Sequence, residues 1–506
     1  MRTNRTRSLT LLALALVGVA GVGIAGAADI DRSLLAAAAE HGSADALIVF
    51  ADQAPPVLAP LDSTADYRLR RRILVDALRA RSDAEQRDVR DWLDARGIAH
   101  RDYWVANVIE ARLSSDDLDA LAHRGDVTRI AANTQSSAHL PRPESAGKLP
   151  EQPQAVEWGV QQINAPLAWA AGDRGQGVVI GGEDTGYQWD HPALEPQYRG
   201  WDGSAADHNY NWHDAIHDSS GNPCGNDSPF PCDDYGHGSH TAGTFAGDDG
   251  GANQIGVAPA AKWIGCRNMD DGNGTPARYI ECMQWMLAPT DLAGQNPNPD
   301  LAPDVVSNSW TCVPGPPPGG EGCDPANVIE DAVDNLVAGG IFYAAAAANA
   351  GPSCGTISAP PAIYDSSFVV GATDSNDRLA SFSSRGPVIG DEMIRPDLSA
   401  PGVNVRSSVP VNSYGYMTGT SMATPHVAGA VALVMAMDPA LKGNPQRVGE
   451  ILRETAETEG VTDPYNSGCG GLTMNDWPNY QAGYGRVDAW AAVQLADTLL
   501  DSGFDD

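Results

Sequence analysis

Three short segments set a carboxylate, an imidazole and a hydroxyl among small residues. In the first, Val178-Val179-Ile180 reads as a buried strand. It runs through Gly181-Gly182-Glu183 into Asp184-Thr185-Gly186. Asp184 then stands at a strand's C-terminal end, where open α/β sheets build their sites. Asp at such a position is common for structural reasons and is weak by itself. In the second, Gly236 and Gly238 flank His237 within Gly236-His237-Gly238-Ser239-His240-Thr241, so the imidazole stays open to a cleft. His237 and His240 are three apart, but the segment lacks the Glu of an H-E-x-x-H zinc helix. Acid–base work is the better reading. In the third, Tyr416 to Ala430 surrounds Ser421 with Gly, Ala, Thr and Met. The apolar run to Met437 reads as a buried helix with Ser421 at or near its first turn, and Pro425 fits an early turn. A helix N-terminus presents unpaired N–H groups and positive potential, which steady an anion. A serine that merely caps the helix is the other reading of this segment.

Taken together the three say more. A serine hydroxyl is a weak nucleophile and needs a base. The base needs a carboxylate that fixes its tautomer and balances the imidazolium. The chain order here is Asp, His, Ser. The α/β-hydrolase order and its G-x-S-x-G elbow are absent.

The segment Gly419-Thr420-Ser421-Met422-Ala423-Thr424-Pro425-His426-Val427-Ala428-Gly429 resembles the full serine motif of the subtilisin-like serine peptidases, the subtilases. His237-Gly238-Ser239-His240-Thr241-Ala242-Gly243 resembles their histidine motif, with Ser239 for the usual Thr and Thr241 for the usual Val. Asp184-Thr185-Gly186 resembles the aspartate motif. The resemblance covers about residues 155–495. Trp158 to Pro166 and Gln188 to Trp201 are similar to the bacillopeptidase F-like branch.

The resemblance implies a triad of Asp184, His237 and Ser421. It also implies an oxyanion hole from the Ser421 N–H and Asn349, which follows Phe342-Tyr343 and an Ala344–Ala348 run. Ala348 stands where the family usually has Gly. Ser307-Asn308-Ser309-Trp310 resembles the substrate-binding strand, with Ser309 and Trp310 as binding residues. Trp310 either shapes the specificity pocket or fills core. No cofactor is required for such chemistry. The implied fold is α/β, a subtilisin-like three-layer fold with a mostly parallel central sheet.

The elements that would position these residues occupy only part of the 506 residues. Arg2, Arg5 and Arg7 precede an apolar run from Leu9 to Ala25 and an Ala25-Gly26-Ala27 cleavage signal, so residues 1–27 read as a signal peptide. No later segment is expected to reach membrane-spanning length. Residues 28–138 read as a small α+β unit, with a strand at Ala46–Ala51 and a helical stretch at Tyr67–Arg96. A strand at Tyr103–Leu113 follows, then a helix capped at Ser114 with acids in its first turn, then a strand at Val127–Ala132. Arg70-Arg71-Arg72 is expected on the wet face of the amphipathic helix rather than as a nucleic-acid patch, because acids are interleaved after it. By the resemblance this unit is an inhibitor-type propeptide. Residues 139–154 read as an exposed linker with the processing site, residues 155–495 as the catalytic domain and 496–506 as an acidic tail.

Composition narrows the partners. Residues 151–506 carry 13 basic and 45 acidic side chains, and the chain's net charge is −33. That excludes electrostatically driven binding to nucleic acid or anionic lipid. Solubility and salt tolerance account for the acids most simply. Structural calcium among Asp202–Asp234 and Asp248-Asp249 is the sharper reading, although no motif names a metal ligand. All 8 cysteines follow residue 150, an even number that suggests disulfides in an oxidising compartment. Cys224 with Cys232 and Cys312 with Cys323 are the local pairs expected. The remaining four are open.

The expected protein is a secreted, monomeric serine endopeptidase. It is autoprocessed from a pro-form and acts on proteins or peptides, with its own propeptide as intramolecular inhibitor. Two other readings compete. Asp184-Thr185-Gly186 is also the aspartic-protease signature, but a second such carboxylate occurs only in Asp501-Ser502-Gly503, in the terminal tail. An inert scaffold kept for binding or adhesion would more naturally have lost one of the site residues.

Overall fold

The computed structural model describes residues 27–51, 66–138, 140–143, 156–312, 323, 329–391 and 393–502. The signal-peptide reading falls almost wholly outside these residues, as does most of the linker.

The leader unit runs β1 (Asp29–Ile30), α1 (Arg32–His41), β2 (Ala44–Phe50), α2 (Tyr67–Glu85), α3 (Arg87–Asp94), β3 (His100–Tyr103), β4 (Val108–Leu113), α4 (Ser115–Ala122), β5 (Val127–Ala132) and β6 (Ser136–Ser137). Five strands form one sheet in the order β1-β5-β2-β4-β3. β2 is apolar from Ala46 to Phe50 because both its faces are covered there, while Asp45 near its start is exposed and pairs with Arg112. Ala46, Ile48 and Phe50 pack with Leu93, Leu118 and Leu121 of the leader's own helices. Leu47 and Val49 join a core shared with Ile280 and Val333 of the following domain. The Ser114 cap is present as a full capping box with Asp117.

Three expectations for the leader need correction. The single strand at Tyr103–Leu113 is a hairpin, turned at Asn107, whose φ of 45 an Asn tolerates. Tyr67–Arg96 is two helices broken at Gln86, whose buried side chain turns inward to Asn107. Arg70, Arg71 and Arg72 do not form a wet face. Arg71 is buried and donates to the Gly339 carbonyl (2.7 Å), Arg72 pairs with Asp300 (2.6 Å), and Arg70 donates to the Gly443 carbonyl (3.1 Å). A charged helix face looks the same in sequence whether water or a neighbour's carbonyls and carboxylates cover it.

The body continues with α5 (Trp158–Gln162), α6 (Ala165–Ala170), β7 (Val179–Asp184), β8 (Trp212–Asp214), α7 (His237–Ala246), β9 (Lys262–Arg267), β10 (Met269–Asp270), β11 (Asn273–Gly274) and α8 (Pro276–Leu287). It ends with β12 (Val305–Asn308), α9 (Ile329–Ala338), β13 (Phe342–Ala346), β14 (Phe368–Thr373), β15 (Leu398–Pro401), β16 (Val405–Val409), β17 (Ser413–Met417), α10 (Thr420–Met437), α11 (Pro445–Glu454) and α12 (Ala489–Ser502). Seven strands make a sheet in the order β15-β14-β13-β12-β7-β9-β8, every pair parallel. α10 packs with α7 and α12 on one face, and α8 and α9 cover the other. This is the three-layer α/β architecture expected, and it aims the C-terminal ends of β7, β12 and β13 at one edge.

α10 corrects the expectation that no later segment is long and apolar enough to span a membrane. Thr420–Met437 has that length and composition, but it is buried inside the fold. It is apolar on every side because the sheet, α7 and α12 surround it. Four disulfides close the body: Cys224–Cys232 and Cys312–Cys323 as expected, with Cys266–Cys282 and Cys354–Cys469.

Candidate active site

Asp184 is the last residue of β7, and His237 is the first of α7. The imidazole Nδ1 lies 2.7 Å from Asp184 Oδ1, and both side chains are buried. Asp184 Oδ1 also accepts from the Thr185 N–H (2.8 Å), and its Oδ2 accepts from the Thr241 hydroxyl (3.3 Å). These donors hold the carboxylate in one orientation. A carboxylate on Nδ1 puts the ring's proton there and leaves Nε2 as a lone-pair acceptor. His237 Nε2 is buried without a hydrogen-bond partner, which suits a nitrogen reserved for a moving proton.

Glycine makes this approach feasible. Gly236 caps α7 with φ 94, a conformation that side chains rarely adopt. A Cβ on Gly238 would stand 2.1 Å from the Gly186 carbonyl oxygen, so any larger residue would push α7 off β7.

Ser421 is the second residue of α10, and Gly419 is the N-cap. Ser421 is therefore not the capping residue. Its hydroxyl donates to the Ser309 carbonyl (2.8 Å), and the Ser309 hydroxyl donates back to the Ser421 carbonyl (2.9 Å). Pro425 lies in the second turn of α10, deeper than expected. Having no N–H, it leaves the carbonyl four residues back without its helical donor. That carbonyl belongs to Ser421, and the Ser309 hydroxyl takes the donor's place.

Asn349 follows β13, and its Oδ1 accepts from the Thr420 N–H (2.9 Å) and hydroxyl (3.0 Å). Those bonds fix the amide and leave Nδ2 to donate elsewhere. Ala348 adopts φ 76, a left-handed conformation that costs a side-chain residue roughly 1–2 kcal/mol. Trp310 is buried, stacked on Tyr279 at 3.7 Å, and donates to the Glu183 carbonyl (3.1 Å).

The leader's tail lies across these residues. β6 adds antiparallel to β11, with Ser136 opposite Gly274 and Ser137 opposite Asn273. The Ala138 N–H donates to the Gly272 carbonyl (3.1 Å). The Leu140 carbonyl accepts from the Tyr235 hydroxyl (2.7 Å), and Arg142 pairs with Asp271 (2.9 Å) over the Tyr235 ring. A Cβ on Gly419 would stand 3.4 Å from Pro141, and one on Gly236 would stand 3.3 Å from Pro143. Two residues of chain reach at most about 7 Å. Gly419, two residues before Ser421, and Gly236, one before His237, therefore flank the same short peptide. β11 holds Ser136–Ser137 like an added strand, and the first described residues of the segment expected as an exposed linker, 140–143, are docked by the Tyr235 hydroxyl and by Asp271.

Neighbouring titratable groups divide clearly. Burial lowers His240 to about 3 and His426 to about 4, so both stay neutral. Each donates a ring N–H to a backbone carbonyl, His240 to Val405 and His426 to Met422, as structural histidines do. Asp202 and Asp249 accept hydrogen bonds from their own turns, and among the described residues no trio of His, Cys, Asp or Glu is arranged to hold a metal. Sequence reasoning missed Asp233, which bonds both to Thr185 and to the start of α7. Its place just before Gly-His-Gly was the only signal.

Residues 175–484 match the model of the subtilase family. The chain is 38% identical over 448 residues to bacillopeptidase F of Bacillus subtilis, an alignment covering 84% of this chain and 28% of that protein. It is 32% identical over 362 residues to an alkaline protease of Shouchella clausii, covering 71% of this chain and 77% of the relative. It is 32% identical over 320 residues to subtilisin E of Bacillus subtilis, covering 63% and 70%. The chain thus spans little more than a quarter of the length of bacillopeptidase F, but the family match alone takes in more than half of its residues, and the chain belongs to the subtilase family.

Proposed function

We propose that the chain is a secreted serine endopeptidase that hydrolyses peptide bonds of proteins and is made as a self-cleaving pro-form. The observation that carries this reading is the buried 2.7 Å Asp184–His237 pair with an unpartnered Nε2. The docked peptide passes Gly236, one residue before His237, and Gly419, two residues before Ser421. Ser421 turns its hydroxyl from the Ser309 carbonyl toward Nε2 and attacks the scissile carbonyl as His237 takes the proton. Asp184 balances the imidazolium that forms. The Ser421 N–H and Asn349 Nδ2 donate to the developing oxyanion. His237 returns the proton to the leaving amine, and water repeats the cycle on the acyl-enzyme.

The leader acts as an intramolecular inhibitor. Its tail lies where a substrate strand would lie, and its arginines and β2 face dock on the body. Four disulfides and the basic-then-apolar N-terminus support export. Calcium is at most structural, since no step uses it. An unchanged melting curve with chelator removes it.

The test compares the chain lacking residues 1–27 with its Ser421→Ala variant, each given an unrelated protein. Wild type alone is expected to shed about 110–130 residues, the span that ends in the linker read from the sequence, and then to degrade the substrate. If both stay whole and neither cuts, the reading fails and a binding scaffold takes its place.

A further inference from the structure

We infer that Asp233 is a positioning residue for the reaction: it ties the strand end carrying Asp184 to the helix start carrying His237. The inference rests on the proposed roles of Asp184, His237 and Ser421. Asp233 Oδ1 accepts from the Thr185 hydroxyl (2.9 Å), the Gly236 N–H (2.7 Å) and the Tyr235 N–H (3.1 Å). Oδ2 accepts from the Ser239 N–H (2.9 Å) and hydroxyl (2.6 Å). Five donors on one carboxylate is full occupancy, and charge makes each bond stronger than a neutral one.

The pattern has a mechanical meaning. Thr185 immediately follows Asp184, and its N–H bonds the Asp184 carboxylate. The Thr185 hydroxyl gives its proton to Asp233 and accepts from the Gly238 N–H (3.0 Å). Gly238 and Ser239 are the second and third residues of α7, where helical N–H groups lack partners. Gly236 cannot cap them with a side chain, so Thr185 caps one and Asp233 the other. The backbone of Asp233 also bridges to Gly186. Asp184 and His237 are thus joined twice, directly at 2.7 Å and through Thr185–Asp233. Ser239 extends the brace by accepting from the Gln188 N–H (2.9 Å).

The direct bond sets the imidazolium's stability, and a misplacement of about 1 Å costs up to about 10²-fold in rate. Asp233→Asn replaces one oxygen with a donor that faces only donors. In the full chain, kcat per titrated active site is expected to fall by about 10- to 100-fold, with KM changed less than about threefold. The acid limb of the kcat/KM profile is expected to move to lower pH, because a looser carboxylate favours the imidazolium less. Thr185→Ser keeps the hydroxyl and rescues. Thr185→Val removes it, is expected to reproduce the loss, and serves also where Asp233→Asn fails to fold. A merely structural Asp233 would lower melting temperature and yield, leaving kcat per site and the pH profile unchanged. That result overturns the inference. Ser421→Ala run alongside separates the two ideas: activity surviving in it sinks the triad reading itself.

Discussion

At the residue scale, the side chain next to Asp184 is a liability of a different kind. Glu183 precedes it on β7, and both its carboxyl oxygens are buried without hydrogen-bond partners. Burial raises its pKa well above the ordinary carboxylate range. The unfolded chain ionises Glu183 near the usual value of about 4.3, while the folded chain holds the proton. Its stability contribution is therefore complete below that pH and is lost as pH rises toward the folded value, at about 1.4 kcal/mol per unit. Glu183→Gln in the Ser421→Ala background should melt near its parent at acid pH and increasingly above it at alkaline pH. Parallel melting curves across pH would count against this account. Asn349→Ala belongs to the same scale. With Asn349 as the proposed oxyanion donor, its loss is expected to lower kcat by about 10²–10³, with KM little changed.

At the element scale, two devices hold α10 in register with the strands. Its Pro425 defect is covered by the Ser309 hydroxyl, and its first N–H by Asn349. β13 and the loops after it reach the C-terminal region through Cys354–Cys469, which closes a sequence separation of 115 residues. A loop of that size is worth about 4–5 kcal/mol if unfolded-chain entropy dominates. Replacing both cysteines with serine should lower the denaturation midpoint far more than the same change at Cys224–Cys232, which spans 8. Equal losses would point to local packing instead.

At the scale of the whole molecule, the leader meets the body through groups that titrate. Tyr103 of β3 donates to Glu110 of β4 (2.9 Å) and lies 3.1 Å from Glu281 of α8. His213 and His217 bond the same Glu281 at 2.8 and 2.9 Å, and His217 also meets Asp227. Burial works against the charged His217, but Glu281 and Asp227 outweigh it and hold the ring at about 9. Glu110 is raised, chiefly by burial and also by Glu281, against the opposing pull of Tyr103, Arg101 and His217. Its folded value lies above its free one, so the docking energy it contributes is whole at low pH and lost as pH rises. The delay between the proposed leader cleavage and full activity should shorten as pH rises, and Glu110→Gln should flatten that trend. An identical trend in the variant would remove Glu110 from the linkage.

Local residue patterns were enough to name the family and to propose the chemistry. Asp184, His237 and Ser421 stand out because small residues clear space around them, and that signal is local. The layered α/β class came with the family resemblance, whereas the Ser114 cap and the two short disulfides are set by near neighbours. Tertiary structure alone decided what these groups face. Arg71 is buried because Gly339, hundreds of residues away, presents a carbonyl. Residues 136–137 are docked because β11 has an open edge beside them, and residues 140–143 because Tyr235 and Asp271 reach them. Asp233 becomes a brace only when β7 and α7 meet. Hydrogen bonds and burial depend on which distant strands become neighbours, and the parallel sheet fixes that order through crossovers that no short window of sequence contains.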